Sequence, residues 1–249
     1  MASAHPPWSL SFTTTSAAAR NEVRMRINNM LNAIKKIKWP SIGDVLLTII
    51  GATMCGFGVG LTNWAALGLD AIGVFQDGVR NVMGLPNDQL GVAVNLINVV
   101  IVVFLLIFAR KYVSLGTIVY FIFFGIFIDL ATKLCNMFFP EPVLVLRIGV
   151  TTVGLLILYI GLGLYIAIDI GVDTFTGVVL FIRDHTKLEL KYVKIIFDVA
   201  IFVIGALLGG TLGVATLVSA SIGGPCIQFF STKIQKICFK MKLKDYKEI

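Results

Sequence analysis

The sequence predicts an all-α integral membrane protein with six transmembrane helices, built as two inverted three-helix repeats with short amphipathic or re-entrant helices after spans 1 and 4. The first observation is composition: 57% of the residues are hydrophobic and 14% are charged, and the mean hydropathy is +0.90. Soluble domains have about half apolar and a quarter charged residues. The second and third observations are a series of long apolar runs and an internal repeat.

Six apolar runs are long enough to cross a bilayer, because a hydrocarbon core about 30 Å thick needs roughly 20 apolar residues in a helix. The runs cover approximately residues 44–66, 90–109, 113–136, 144–168, 192–209 and 212–231. Nearly all of the chain between these limits is therefore predicted to be membrane domain.

Basic residues are concentrated in the segments that six spans would place on one side of the membrane. These segments hold 18 of the 21 lysines and arginines, and the exceptions are Arg80, Lys133 and Arg147. The positive-inside bias then predicts that both termini are cytoplasmic. The net charge of +7 fits attraction to anionic lipid at the basic termini and gives no case for binding nucleic acid.

The two ends of the chain differ from the apolar centre. Residues 1–20 have no continuous apolar core and are expected to be a disordered leader. Residues 21–40 combine basic side chains with apolar ones at helical spacing, which is typical of a helix lying in the membrane interface. Residues 232–249 show the same pattern and are predicted to form a basic cytoplasmic tail.

An internal repeat divides the membrane domain into residues 41–140 and 141–231. A shift of 103 positions lays "GVGLTNWAALGLD" (58–70) over "GLGLYIAIDIGVD" (161–173), and a shift of 99 aligns the third span with the sixth. The aligned pairs are Gly58 with Gly161, Asp70 with Asp173, Arg80 with Arg183, Asn95 with Asp198, Thr117 with Thr216, Gly125 with Gly224, and Asp129 with Gln228.

The number of spans in each repeat predicts their relative orientation. Each repeat has three spans, so the second repeat must enter the membrane from the opposite face. Inverted repeats are typical of secondary transporters, whose binding sites lie near the bilayer midplane where the repeats meet. Duplicated units also build channels and scaffolds, so this pattern favours transport without excluding them.

Asp198 is the main candidate site residue because it interrupts the apolar run "VKIIFDVAIFVIGALLGG" (193–210). A charged side chain at membrane depth costs roughly 2.5–3.5 kcal/mol on insertion scales. Three interpretations are open: a structural hydrogen bond to Asn95, Thr117 or Thr216; binding of a cation or coupling proton opposite Asn95; or an ion pair with Lys194 one turn earlier.

Other polar residues join this candidate set. Asn98 lies one turn beyond Asn95, and Asp129 has a possible partner in Lys133. Asp70 and Asp173 stand at the N-cap positions of the short segments after spans 1 and 4, where free N–H groups could attract an anion or where the segments could be plain connectors. The substrate or ion-binding candidates are Asp198, Asn95, Asn98, Asp129, Asp70, Asp173, Thr117 and Thr216.

The sequence contains no motif that predicts catalysis. Gly-x-Ser-x-Gly, His-Glu-x-x-His, a phosphate-binding loop and the Gly-x-Gly-Asp of intramembrane aspartyl proteases are absent. Two histidines and the cysteine spacing predict neither a metal site nor a disulfide framework. We therefore expect no enzyme activity, no metal and no cofactor, and active transport would need an ion gradient or a partner.

Several segments resemble the YczE/YitT group of bacterial multispan membrane proteins. They are "LGLDAI" (67–72), "SLGTIVYFIFFGIFIDL" (114–130), "IGVDTF" (170–175) and "YVKIIFDVAIFVIGALLGGTLGVAT" (192–216), and the similarity runs from about residue 43 to 231. The chain departs from the group's usual pattern at Leu69 and Ala215, where the group often has Trp or Pro and Gly, respectively. The resemblance implies a bacterial cytoplasmic membrane and a transporter-like architecture, without naming a substrate.

The sequence thus predicts a multi-pass transporter-like protein that moves a small organic solute through a cavity between the repeats, with both termini cytoplasmic. A scaffold or regulatory subunit of the membrane is the alternative. A homo-oligomer is compatible with either function.

Overall fold

The computed structural model describes residues 41–186 and 188–245, and the described residues form eight α-helices and no strand. The predicted leader and interfacial segment, residues 1–40, lie outside the described residues. The helices are α1 (Ile42–Ala65), α2 (Ala71–Val82), α3 (Leu90–Phe108), α4 (Leu115–Phe138), α5 (Leu144–Ile168), α6 (Thr174–His185), α7 (Leu190–Leu207) and α8 (Val214–Asp245).

Five helices are long and apolar enough to cross a membrane: α1, α3, α4, α5 and the part of α8 from residue 214 to 237. The predicted fifth run corresponds to α7, whose 18 residues include Lys191, Lys194 and Asp198. The short helices α2 and α6 lie in the connections after α1 and α5. The predicted sixth span and the beginning of the basic tail form one continuous helix, α8.

The crossing of α1 and α5 is the centre of the structure. A Cβ atom at Gly51 would lie 3.2 Å from the carbonyl oxygen of Gly161, and one at Gly58 would lie 2.6 Å from that of Gly154. The Cys55 thiol, between these contacts, lies 3.8 Å from the Leu158 carbonyl oxygen to which it donates. Small residues let the backbones of helices in lipid approach this closely.

Two further helices complete the inner layer. Gly56 and Gly60 of α1 pack against the backbone of α4 near Phe124 and Ile128, so these two helices run parallel. On the other side, α8 packs against α5 near Gly163, again with the two helices parallel. The inner layer therefore consists of α1, α4, α5 and α8.

The chain leaves α1 and α5 through similar turns. Ala66 and Asp169, which are 103 positions apart, have φ angles of 49° and 55° and are the non-glycine residues with positive φ in the described ranges. Arg147 supports the first turn, because its Nε and Nη2 donate to the carbonyl oxygens of Ala65 and Ala66 at 2.6 and 3.0 Å. A left-handed residue stops each helix and turns the chain back toward the bundle.

Each of these turns contacts the first turn of a helix in the other half of the chain. The Ala215 amide donates to the Leu67 carbonyl oxygen at 2.9 Å. At the opposite end of the bundle, the Thr117 hydroxyl donates to the Val172 carbonyl oxygen at 2.7 Å. The two halves therefore hold each other at both ends.

The outer layer consists of α2, α3, α6 and α7, which surround a common centre. α2 packs closely on α7, where a Cβ atom at Gly78 would lie 2.6 Å from the Gly205 carbonyl oxygen. α3 and α6 are held further apart by Phe104 and Phe181, whose ring centroids are 5.4 Å apart. The packing of the outer layer thus differs between the two halves.

We expect Gly58→Ala to destabilise the protein by about 1–3 kcal/mol, because the new methyl group would overlap the backbone of α5. The measurement is the thermal unfolding midpoint of the purified protein in detergent. Gly149→Ala is the matched control, because a Cβ atom there meets no atom within 4 Å. Equal midpoints for the two variants would contradict the close crossing of α1 and α5.

Candidate functional site

A cavity of about 460 Å³ lies among the four outer helices. Both halves of the chain line it, and every lining side chain is apolar. The lining residues are Phe75, Val79, Met83, Leu96, Ile97, Val100, Ile101, Phe175, Val178, Phe197 and Ile201. A volume of this size lies in the range of sites that hold small organic molecules.

Aromatic rings connect the two halves at this cavity. Phe75 of α2 meets Phe175 of α6 edge to face, with centroids 6.2 Å apart and an interplanar angle of 83°. Phe175 also contacts Phe197 of α7 at 6.5 Å. Edge-to-face packing is a favourable arrangement of two aromatic rings. The contact between the two short helices at Phe75 and Phe175 is therefore purely apolar.

A buried polar contact lies beside the cavity, between α3 and α6. The Thr174 hydroxyl donates to the Asn98 side-chain oxygen at 2.5 Å, and both residues are buried. Asn98 thus ties α3 to the first turn of α6. The predicted site residue Asn98 has a structural partner in this structure.

Asp77, Arg80 and Thr211 form a cluster that we call the buried clasp. The fully buried Asp77 carboxylate accepts from the Thr211 amide and hydroxyl at 2.8 and 2.6 Å and from Arg80 Nε at 2.7 Å. Arg80 Nη1 also donates to the Leu85 carbonyl oxygen at 2.6 Å. The buried clasp joins α2 of the first half to the connection between α7 and α8.

Asp184 is the centre of an exposed clasp at the opposite end of the bundle. Its carboxylate accepts from Lys111, from the Tyr112 hydroxyl and from Arg183, whose Nη2 is 2.7 Å away. These hydrogen bonds, led by the one from Lys111, hold the pKa of Asp184 well below its usual range. The exposed clasp joins α6 of the second half to the connection between α3 and α4.

Asp198 forms an ion pair with Lys194, with Nζ 2.8 and 2.9 Å from the two carboxylate oxygens. This is the third of the interpretations that the sequence leaves open. The Asp198 side chain is 34% exposed, and its neighbour Phe197 lines the apolar cavity. Asp198 is not among the residues that line this cavity.

Asn95 and Asp129 lie in the seam between α3 and α4. The Asn95 amide lies against Gly125, and its oxygen has no hydrogen-bond partner among the described residues. Asp129 accepts from the Gly91 amide at 2.5 Å, so it holds the beginning of α3 to α4. Asn95 and Asp198 are therefore in different seams of the protein.

The remaining candidates lie at helix ends. Thr117 and Thr216 accept from the amides of Ser114 and Gly213 at 3.3 Å and so cap α4 and α8. Asp173 accepts from the Thr176 amide at 3.0 Å and caps α6.

Asp70 holds the N-cap position of α2 in extended conformation. Burial raises the pKa of the Asp70 carboxyl, and the amides of the first turn of α2 and the Lys194 ammonium oppose this shift. Lys194 itself forms its ion pair with Asp198.

The two central carboxylates of the clasps, Asp77 and Asp184, are not among the site residues that the sequence predicts, and neither is Thr211. The spacing of Asp77 and Arg80 on one helix face is a signal for a pair, but nothing in the sequence indicates Thr211 as the third member. Within residues 41–186 and 188–245, no group of three His, Cys, Asp or Glu side chains is arranged to hold a metal ion.

Residues 42–232 match DUF6198, a family of unknown function. The chain belongs to this family. It is 24% identical over 182 residues to the uncharacterized membrane protein YczE of Bacillus subtilis, covering 72% of this chain and 81% of that protein. An uncharacterized protein of Haemophilus influenzae is 27% identical over 124 residues, 50% of this chain and 56% of that protein's length.

These findings confirm the resemblance to the YczE group. Together with the five long apolar helices, they identify a multi-pass membrane protein of an uncharacterised family. No solved structure matches this chain.

We expect Asp77→Ala to cost about 3–5 kcal/mol of stability, because it leaves the buried Arg80 guanidinium without its counter-charge. Thermal unfolding in detergent measures the change. Asp184→Ala, in the exposed clasp, should have a much smaller effect because solvent screens those charges. A larger loss for Asp184→Ala than for Asp77→Ala would contradict the assigned roles.

The stabilising effect of Asp184 should depend on pH. Its folded-state pKa is lowered, so its contribution is present above the unfolded value of about 3.9 and is lost as pH falls toward the folded value. Unfolding midpoints of the wild type and Asp184→Asn should differ by a constant amount above about pH 5 and converge below about pH 4. A difference that grows on acidification would show that the assigned sign is wrong.

Proposed function

We propose that this protein is a transporter with two inverted repeats that moves a small organic solute across the bacterial cytoplasmic membrane. The observation that carries this proposal is the apolar cavity that both halves line. A cavity at the meeting point of two repeats is where transporters of this architecture bind their substrates. The proposal includes no catalytic step, and its energy source is an ion gradient or a partner.

The contacts between the halves support the inverted repeat. Gly51 contacts Gly161, and Gly58 contacts Gly154. A shift of 103 positions aligns Gly51 with Gly154 and Gly58 with Gly161, so the two contacts are equivalent. The parallel pair α1 and α4 has its counterpart in α5 and α8. The shifts of 103 and 99 convert the Leu67–Ala215 contact into Ile170–Gly116, and a Cβ atom on Gly116 would lie 2.9 Å from the Ile170 carbonyl oxygen.

The role of α7 as the fifth of six spans completes this proposal. Its 18 residues would extend about 27 Å at 1.5 Å per residue, close to the thickness of a bilayer core. Lys191 and Lys194 lie in its first turns, where long side chains can reach the interface. Six spans would place both termini on the cytoplasmic side, in agreement with the distribution of basic residues.

The lining of the cavity supports an apolar or only weakly polar body for the solute. Burial of apolar solute surface stabilises binding by about 25 cal/mol per Å². The Phe75–Phe175 contact between the short helices can part without breaking a hydrogen bond between them. Rocking of one repeat against the other would then expose the cavity to each side in turn.

The proposal predicts that one cavity position becomes accessible from both sides of the membrane. Ile97→Cys, in a chain whose native cysteines are replaced by serine, should react with a membrane-impermeant maleimide added to either face of reconstituted vesicles. Lys111→Cys and Leu212→Cys, at opposite ends of the bundle, are the controls, and each should react from one face alone.

The outcomes separate the two candidate functions. Reaction of Ile97→Cys from both faces, with one-sided controls, supports alternating access. A scaffold predicts that the cavity position reacts from one face at most. If Lys111→Cys and Leu212→Cys react from the same face, the six-span topology is wrong.

A further inference from the structure

The cavity among the outer helices has a buried end and an exposed end. Of its lining residues, Phe175 and Ile201 are 5% and 8% exposed. Met83, Leu96 and Val100 line the same cavity and are 44%, 48% and 69% exposed. The cavity therefore opens to the outside of the bundle at an edge formed by the end of α2 and by α3. We call this edge the lateral opening.

The position of the lateral opening along α3 places it at the depth of the hydrocarbon. α3 runs from Leu90 to Phe108, so Leu96 and Val100 lie on either side of its midpoint. A helix of 19 residues extends about 28 Å, which is close to the thickness of the hydrocarbon core. A path from the cavity to water would instead leave near the ends of the helices.

The surface around the lateral opening is apolar. Val92, Val99 and Val103 of α3 are exposed beside it, and so are Leu106 and Ile107 further along the helix. An apolar face that a spanning helix turns away from its own bundle contacts lipid. The wall of the cavity therefore continues into a lipid-facing surface without a polar boundary.

Hydrogen bonds cross the outer layer at both of its ends. The buried clasp bonds α2 to the connection between α7 and α8, and the Asn81 side-chain amide donates to the Gly209 carbonyl oxygen at 2.6 Å in the same region. The exposed clasp bonds α6 to the connection between α3 and α4. Separating the outer helices at either end breaks these bonds, whereas the lateral opening is already present.

The chemistry of the lining excludes a charged occupant. Among the described residues, every side chain that lines the cavity is apolar. The polar pair beside it, Asn98 and Thr174, is buried and satisfied by its own hydrogen bond. A charged group would lose its hydration in this cavity and gain no partner, but an uncharged molecule dissolved in hydrocarbon enters without that cost.

We propose that the cavity takes up its solute from the bilayer through the lateral opening, and that the solute is an uncharged lipophilic molecule. The rings of Phe75, Phe175 and Phe197 supply close contacts to an aromatic or aliphatic body. This inference rests on the proposed function and names the substrate class of the transporter.

The experiment measures the quenching of tryptophan fluorescence in reconstituted vesicles. The reporter is Phe175→Trp, at the buried end of the cavity, in a chain whose three native tryptophans are replaced by phenylalanine. Bromobenzene is the uncharged probe, and 4-bromobenzoate carries the same ring with a negative charge. A bromine atom quenches tryptophan on contact, so quenching of the reporter shows that the probe has reached the cavity.

Two further positions calibrate the reporter. Val99→Trp, on the lipid-facing side of α3, measures the probe dissolved in the bilayer. Phe124→Trp replaces a ring of the inner layer that is as well buried as Phe175 but does not line the cavity. We expect bromobenzene to quench Phe175→Trp at least as strongly as Val99→Trp, and Phe124→Trp several-fold less. Relative to Val99→Trp, 4-bromobenzoate should quench Phe175→Trp several-fold less than bromobenzene does.

The route is tested at the lateral opening itself. Val100→Phe narrows the opening, whereas Val99→Phe adds the same bulk to the neighbouring residue, which does not line the cavity. In stopped-flow mixing with bromobenzene, Val100→Phe should slow the quenching of Phe175→Trp several-fold, and Val99→Phe should leave the rate unchanged. Phe197→Trp, on α7, is the second reporter if Phe175→Trp does not fold.

Three results would overturn the inference. They are quenching of the cavity reporters no stronger than that of Phe124→Trp, equal relative quenching by the two probes, and equal rates for Val100→Phe and Val99→Phe. The expected quenching together with reaction of Ile97→Cys from one face alone would support the lateral site and refute transport. Two-sided reaction of Ile97→Cys without quenching of the cavity reporters would refute the lateral site and leave the proposed function standing.

Discussion

The close crossing of α1 and α5 is the constraint on which the rest of the structure depends. The glycines at this crossing bring two backbones together without intervening side chains, and in lipid such packing replaces the hydrophobic effect as the source of helix association. Because α4 and α8 pack on opposite sides of this pair, its geometry fixes the positions of both. The outer helices, the cavity and the clasps are then placed by the turns that leave the inner layer.

Part of this architecture can be predicted from the sequence, because the two halves of the chain align with each other at shifts of 103 and 99 positions. The shift of 103 positions identifies Gly58 and Gly161 as equivalent, and the left-handed turns at Ala66 and Asp169 occur at equivalent places. Hydropathy also predicts the long helices within a few residues of their ends, except that α8 continues to Asp245, well beyond the predicted end at residue 231. Hydropathy and self-similarity can be read directly from the order of the residues, so they can be recognised without knowledge of the tertiary contacts.

The candidate site is less predictable because side-chain size decides how a seam closes. Sequence alignment pairs Asn95 with Asp198, yet Asn95 lies against Gly125 of α4, whereas Asp198 is paired with Lys194 of its own helix. The same alignment pairs Gly91, whose Cβ position would overlap the Gly125 carbonyl oxygen, with Lys194. The buried clasp could not be predicted from the sequence either, because Thr211 and Asp77 are 134 positions apart and only the tertiary fold brings them together.

The contact between the turn of each half and a helix of the other half has a consequence for biogenesis. The carbonyl oxygen of Leu67 finds its partner amide at Ala215, nearly 150 positions later in the chain. During synthesis the first half therefore enters the membrane with its turn and the α1 surface uncovered until α5 and α8 have been inserted. Contacts of long sequence separation form late and slow folding. A truncated chain that ends after α4 would expose these surfaces permanently and would be a substrate for membrane quality control.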